Sequence, residues 1–257
     1  MKQVGVDNIL WVALPFIGLV GGFSSGLLGL GGGVILLPLL TMLGGVPLKL
    51  VTGTDLVHVL VTSATSTIGH YRGGMVDTKV GLFLGFSGIA GGLLGSLLSV
   101  PLSPFVLQVI YLIVVGLGAF ILFLPVPLEF EGYRKGEFNR TLGIATGLSV
   151  GALAGMLGVG GGFITIPLMT YCLKIPLRVA IGTSLFFIFI TSLGTIWAKF
   201  TVGHIQVTIT LLVLCGSILG ALIGPYVSRR MSVRFLRMAL LGLLILILII
   251  FGCKTFW

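Results

Sequence analysis

Residues Gly26–Thr41 read GLLGLGGGVILLPLLT, and residues Gly155–Thr170 read GMLGVGGGFITIPLMT, 129 positions later. The offset then holds without a gap. Pro47 meets Pro176, Gly53-Thr54 meets Gly182-Thr183, Thr62-Ser63 meets Thr191-Ser192, Gly74 meets Gly203, and Gly91 and Gly95 meet Gly220 and Gly224. Ungapped self-similarity over such a span marks two copies of one structural unit. The seam between them is Glu129–Arg140, EFEGYRKGEFNR, which holds six of the 21 charged residues and reads as a solvated connector. The organisation expected is therefore a first membrane repeat over 1–128, a charged cytoplasmic connector over 129–140 and a second membrane repeat over 141–257.

Composition puts both copies in a bilayer. The chain is 56% hydrophobic and 8% charged over 257 residues, and its mean hydropathy is +1.22. A soluble domain carries about 25% charged residues. Lipid offers no partners to backbone N–H and C=O groups, so the crossings must be helices or a closed barrel, and the runs lack the alternation of barrel strands. The fold class expected is an all-α polytopic membrane protein. The first segment, with Lys2 alone ahead of it and no small-residue cleavage site, reads as a retained helix. Cys172, Cys215 and Cys253 lack metal-ligand spacing, and no cofactor is expected. The net charge of +9 sits in short loops, where it orients a membrane protein rather than binding nucleic acid.

Each copy contains five hydrophobic pieces: 9–30, 33–44, 50–70, 79–99 and 104–125, then 138–158, 161–173, 179–199, 205–227 and 233–252. The second piece of each is only about 12 residues, or about 18 Å as a helix, against about 30 Å of hydrocarbon. It either crosses in a buried setting or re-enters as half of a hairpin. Counting the first two pieces as two crossings, or as a hairpin, makes the repeats inverted. One side then receives eleven of the fifteen basic residues, whereas a single broken crossing splits them eight to seven. The lopsided count obeys the positive-inside rule. The expectation is two inverted-topology repeats, each with a Gly-broken helical hairpin plus three further transmembrane helices, and with both termini extracytoplasmic.

The candidate site follows from the breaks. Three consecutive glycines weaken a helix by about 1 kcal/mol each relative to alanine. In the functional reading, Gly31, Gly32 and Gly33, and Gly160, Gly161 and Gly162, expose N–H groups at the start of a short helix, where they and the helix dipole attract an anion. In the alternative they only permit close helix contact. The hydroxyls of Thr54, Thr183 and Ser184 are further ligand candidates, although such groups also bond back to their own helix. Asp55 and His58 lie three apart on one helical face, and ionisable side chains this close to hydrocarbon usually mark a pathway or proton relay. The plainer reading is a helix cap at the water interface. His70 and Arg72 in the HYRGGMVD loop, and Lys199 on the sparsely basic side, are gating candidates. Nothing resembles a nucleophile or metal set, so an enzyme is not expected.

The paired glycine strings, the GTDL and GTSL openings at Gly53 and Gly182, and the HYRGGMVD loop at His70–Asp77 resemble the TauE/SafE sulfite exporter family. The resemblance implies a plasma-membrane permease moving small sulfur oxyanions or organosulfonates, usually outward. In the second half, Lys199–Ile205 reads KFTVGHI and departs from the loop motif, so roles for His70 or Arg72 do not transfer to it. The partners expected are a small anionic substrate and membrane lipid, with no nucleic acid; homo-oligomerisation is left open. The rival reading is an anion channel of the same fold.

Overall fold

The computed structural model describes residues 8–42, 48–125, 130, 132–201 and 207–256, with 8–12, 42, 48–50, 52, 197–201 and 254–256 described by backbone alone. They form ten helices, five per repeat: α1 (Asn8–Leu28), α2 (Gly33–Met42), α3 (Leu48–Arg72), α4 (Thr78–Ser99), α5 (Pro104–Phe123), α6 (Arg140–Leu157), α7 (Gly162–Tyr171), α8 (Leu177–Thr201), α9 (Val207–Arg230) and α10 (Val233–Phe256). Among the described residues, six helices are long and apolar enough to cross a membrane: α4, α5, α6, α8, α9 and α10. Large apolar side chains face outward, among them Phe86, Leu97, Phe123, Leu222 and Ile249, as a lipid-embedded surface requires. Polar side chains gather inside instead. Asp55, His58, Thr62, Ser63, Ser66 and His70 on α3, and Thr183, Ser184, Thr191, Ser192 and Thr195 on α8, are all buried.

The repeats do not fold as separate bodies. α1 lies along α9, and α4 lies along α6, which are the most extensive contacts in the molecule. Side chains on Gly18, Gly22 and Gly26 of α1 would collide with Val213, Ser217 and Gly224, in that order along α9. Likewise Gly147, Gly151 and Gly155 of α6 abut Leu84, Gly88 and Gly92 of α4. Contacts that advance together along both chains mean that each pair runs in the same direction. Small residues at four-residue spacing let the backbones approach closely where the hydrophobic effect gives no help.

Helix ends are capped at one end of the bundle. The side chains of Asp77 and Asn139 accept from Val80 N and Leu142 N at the starts of α4 and α6 (3.1 and 3.2 Å). Arg178 donates to the backbone oxygens of Arg229 and Met231. Lys135 Nζ donates to Gly74 O, and a side chain on Gly73 would strike the Arg229 guanidinium. The α3–α4 turn, the connector, the start of α8 and the α9–α10 turn therefore share one end, and they carry most of the basic residues.

Arg237 reaches from α10 to the end of α5 and donates from Nε and Nη2 to Leu122 O (2.9 and 2.7 Å) and from Nη2 to Leu124 O (2.6 Å). Charge-assisted bonds of this kind contribute about 1.5–3 kcal/mol. Replacing Arg237 with Met leaves those carbonyls without their donor, and the expected result is a melting temperature several degrees lower in detergent. An unchanged melting curve would mean the cap is dispensable.

Candidate functional site

The two breaks have the same geometry. In the first, Gly29, Gly31 and Gly32 hold φ of 75°, 81° and 82°; in the second, Gly158, Gly160 and Gly161 hold 73°, 72° and 72°. A residue with a Cβ in this left-handed region costs about 1–2 kcal/mol, so the glycine strings are a backbone requirement. The short helices then start alike. Ile35 N and Leu36 N donate to Gly32 O (3.1 and 3.2 Å), and Ile164 N and Thr165 N donate to Gly161 O (3.2 and 3.0 Å). Each short helix has 10 residues, about 15 Å in rise. Residues 29–33 and 158–162 are buried throughout, so the irregular backbone is shielded from lipid by protein.

The breaks also meet each other. A side chain on Gly31 would press on Val59 and Ile188, and one on Gly160 on the same two residues, which are themselves repeat equivalents. A side chain on Gly162 would run into Gly29 O and Leu30. The centre of the molecule is therefore two opposed glycine turns clasped by α3 and α8.

Around this shared centre the two halves differ. In the first, Asp55 and His58 are fully buried, with His58 Nδ1 3.4 Å from Asp55 Oδ1. Neither carboxylate oxygen and neither ring nitrogen has a well-formed hydrogen bond among the described residues. A side chain on Gly33, the first residue of α2, would overlap the Asp55 carboxyl. The His58 ring lies between Gly32 and Gly21, close enough that a Cβ on Gly32 would sit 2.6 Å from its Cε1. Ser25, on the turn of α1 leading into the break, is also buried with its hydroxyl unpartnered. In the second half the equivalents are Ser184, Phe187, Val150 and Ala154. There Val150 and Ala154 press on Gly161, and serine and phenylalanine stand where the first half has Asp55 and His58. Among the described residues, only the first break carries an Asp–His pair.

The hydroxyls expected at the site are engaged with protein. Ser184 Oγ donates to Gly29 O (2.9 Å) as well as to Ile181 O (2.8 Å), bracing the first break from the second repeat. Thr183 Oγ1 accepts from Asp77 N (2.9 Å). To donate to an anion, Ser184 would exchange its carbonyl partners, whereas Thr183 accepts in its bond to Asp77 N and would keep it. Thr54 is buried on α3, one residue before Asp55. His70 is tied to the end of α1 by Nε2 at 2.8 Å from Gly26 O, with Nδ1 unpartnered, whereas Arg72 is exposed. The side chain of Lys199 lies outside the described residues.

Three further groups support the site. Tyr111 Oη donates to Val34 O on the first turn of α2 (2.9 Å), and its ring stands edge-on to Phe163 and Phe251. The only signal for it in the sequence is a lone tyrosine in the apolar run of α5. Thr62 Oγ1 donates to Gly31 O (3.1 Å). Asp77 joins three parts of the chain: Oδ2 accepts from Tyr133 Oη (2.7 Å) and Gly136 N (2.6 Å). The connector is thus docked rather than freely solvated. Burial, then the Asp77 hydrogen bond and charge, push the Tyr133 phenol well above its usual range, so it remains a donor at any physiological pH. In an Asp77→Ala variant the connector loses its Tyr133 and Gly136 anchors and keeps only Lys135 on Gly74 O among these hydrogen bonds. Trypsin is then expected to cut after Arg134 and Lys135 at least about tenfold faster; an unchanged rate would mean that other contacts hold it.

A multi-pass helical bundle whose polar interior surrounds two opposed helix breaks defines the class of a membrane transporter. The family model for the sulfite exporter TauE/SafE matches residues 14–251, and the chain belongs to that family. It is 27% identical to the probable membrane transporter protein YunE of Bacillus subtilis, over 96% of this chain and 97% of that one. It is 24% identical to the probable membrane transporter protein MJ0441 of Methanocaldococcus jannaschii, over 92% and 93%. No solved structure matches the chain.

Proposed function

We propose that this protein is a secondary transporter that exports a small sulfur-containing anion, such as sulfite, thiosulfate or a sulfoacetate-like organosulfonate, across the plasma membrane. The observation that carries the reading is the buried Asp55–His58 pair, without well-formed hydrogen bonds, at the opening of α2. The family supports the substrate class. The topology is read as inverted because α4 starts at the α3–α4 turn, beside which its repeat equivalent α9 ends: side chains on Gly69 and Gly73 would meet Pro225 and Arg229. The Arg-rich end is assigned to the cytoplasm, which gives extracytoplasmic termini.

Charge decides how the pair would act. With neutral imidazole and ionised carboxylate, the α2 opening carries one negative charge, and an approaching anion is repelled. One proton on the pair brings its net charge to zero and leaves the helix dipole and the N–H groups of the glycine turn as an attractive field. Protonation and anion occupancy thus favour each other. A cell interior that is negative already assists outward movement of an anion by about 2.3 kcal/mol per charge per 100 mV. The proton then works as a co-ligand that opens the site and stays on the pair while the anion leaves, so that export moves net negative charge outward and draws on the membrane potential.

The test is release of sulfite, thiosulfate or sulfoacetate from loaded proteoliposomes between about pH 6 and about pH 8. Expected are saturable release and an apparent affinity that rises as the pH falls. Release that never saturates would make the protein a channel, and pH-independent affinity would remove the proton. Failure to move any of the three anions would overturn the substrate class.

A further inference from the structure

A groove runs along the outer face of the bundle, away from the glycine turns. It lies between α4, α6 and the connector, with a volume of about 780 Å³. Its walls are apolar, formed by Leu82, Phe83, Phe86, Ile144 and Leu148, all of them at least two-fifths exposed. Its mouth, at the connector end, carries Lys79 in the first turn of α4 and Arg140 at the first residue of α6.

We propose that this groove holds an anionic phospholipid, with the phosphate between Lys79 and Arg140 and an acyl chain along Phe86 and Leu148. Charge complementarity carries the assignment. Neither cation forms an ion pair among the described residues: Glu137, the acid nearest to Arg140 in sequence, faces Arg134, and both Asp77 oxygens are bonded within the protein. Both cations are held in position. The Arg140 guanidinium lies 5.7 Å from the centre of the Phe83 ring, which is itself edge-on to Phe138 of the connector at 5.6 Å. The Lys79 stem runs against Gly136, whose φ of 82° turns the connector over it; a side chain at Gly136 would meet the Lys79 Cδ at 2.5 Å. The parallel helices α4 and α6 also bring two positive helix ends to the same mouth.

The positive-inside rule accounts for basic residues at this end of the bundle. It does not account for two of them, unpaired, on the rim of one apolar cleft. Repeat symmetry does not supply them either, because the equivalent positions in the other half are Thr208 and Trp11. The apolar walls select a lipid over a free anion, since a hydrated oxyanion at the mouth would leave most of the groove uncovered. A lipid seated there would contact both repeats and the connector that joins them. The inference does not depend on which anion is transported.

Native mass spectrometry of the purified full-length protein in an equimolar mixture of phosphatidylglycerol and phosphatidylcholine tests the proposal. Expected is preferential retention of phosphatidylglycerol, with the preference falling about tenfold or more in Lys79→Gln/Arg140→Gln. Arg134→Gln, whose charge lies on the connector outside the groove, should keep the preference, as should Lys79→Arg. Equal retention of the two lipids by the wild-type protein would overturn the proposal, and that measurement needs no variant. It would also be overturned if the double variant kept its preference, or if inorganic phosphate alone displaced the bound lipid.

Discussion

Gly32→Leu is expected to abolish anion transport and to lower the stability of the protein. Two costs add at this position. Leucine in the left-handed region costs about 1–2 kcal/mol, and its Cβ would sit 2.6 Å from His58 Cε1. Relieving that overlap forces the imidazole off the break, at a cost of about 1–3 kcal/mol typical of an overfilled core. Gly161→Leu carries the same backbone strain, but its side chain meets Val150 and Ala154 rather than a polar group. The pair of variants therefore separates strain from chemistry: if both lose transport, the geometry of the breaks is essential, and if only Gly32→Leu does, His58 is. Wild-type sulfite release from liposomes containing Gly32→Leu would sink the site.

Replacing His58 alone with phenylalanine, the residue of the second repeat at Phe187, is expected to be among the most destabilising single changes in the membrane interior. It leaves the fully buried Asp55 carboxyl without the imidazole beside it, and a buried polar group that loses its neighbour costs about 1–3 kcal/mol. The double variant Asp55→Ser/His58→Phe carries the second repeat's residues at both positions and removes the charge along with its partner. Its melting temperature should recover most of the loss. Its transport should not respond to pH, because the first break would then carry no titratable group. A double variant whose transport keeps the wild-type pH response would show that the proton acts elsewhere.

These predictions rest on a division between what the sequence carries and what it leaves out. The glycine strings could be read because left-handed backbone demands glycine locally, and the short second segments because helix length is a matter of counting. Asp55 and His58 stood out because charge is rare in hydrocarbon. The partners of Ser184 and Thr183 could not be read. Gly29 is 155 residues from Ser184 and Asp77 is 106 from Thr183, and nothing local marks a hydroxyl that braces a distant turn. The docking of the connector on Asp77 was hidden for the same reason: a charged stretch looks solvated until the acceptor it folds onto is known. Nor does periodicity tell which helix a glycine face will meet, and here the partners of α1 and α4 come from the other repeat.

That exchange of partners bears on how the protein is made. α1 leaves the ribosome well before α9, the helix that covers its glycine face. Until then the nascent chain must hold α1 in the bilayer with its small-residue surface unmatched. A product arrested after the connector would lack that cover altogether. The quality-control machinery of the membrane would see a helix without its mate, which ties survival of the first repeat to completion of the second.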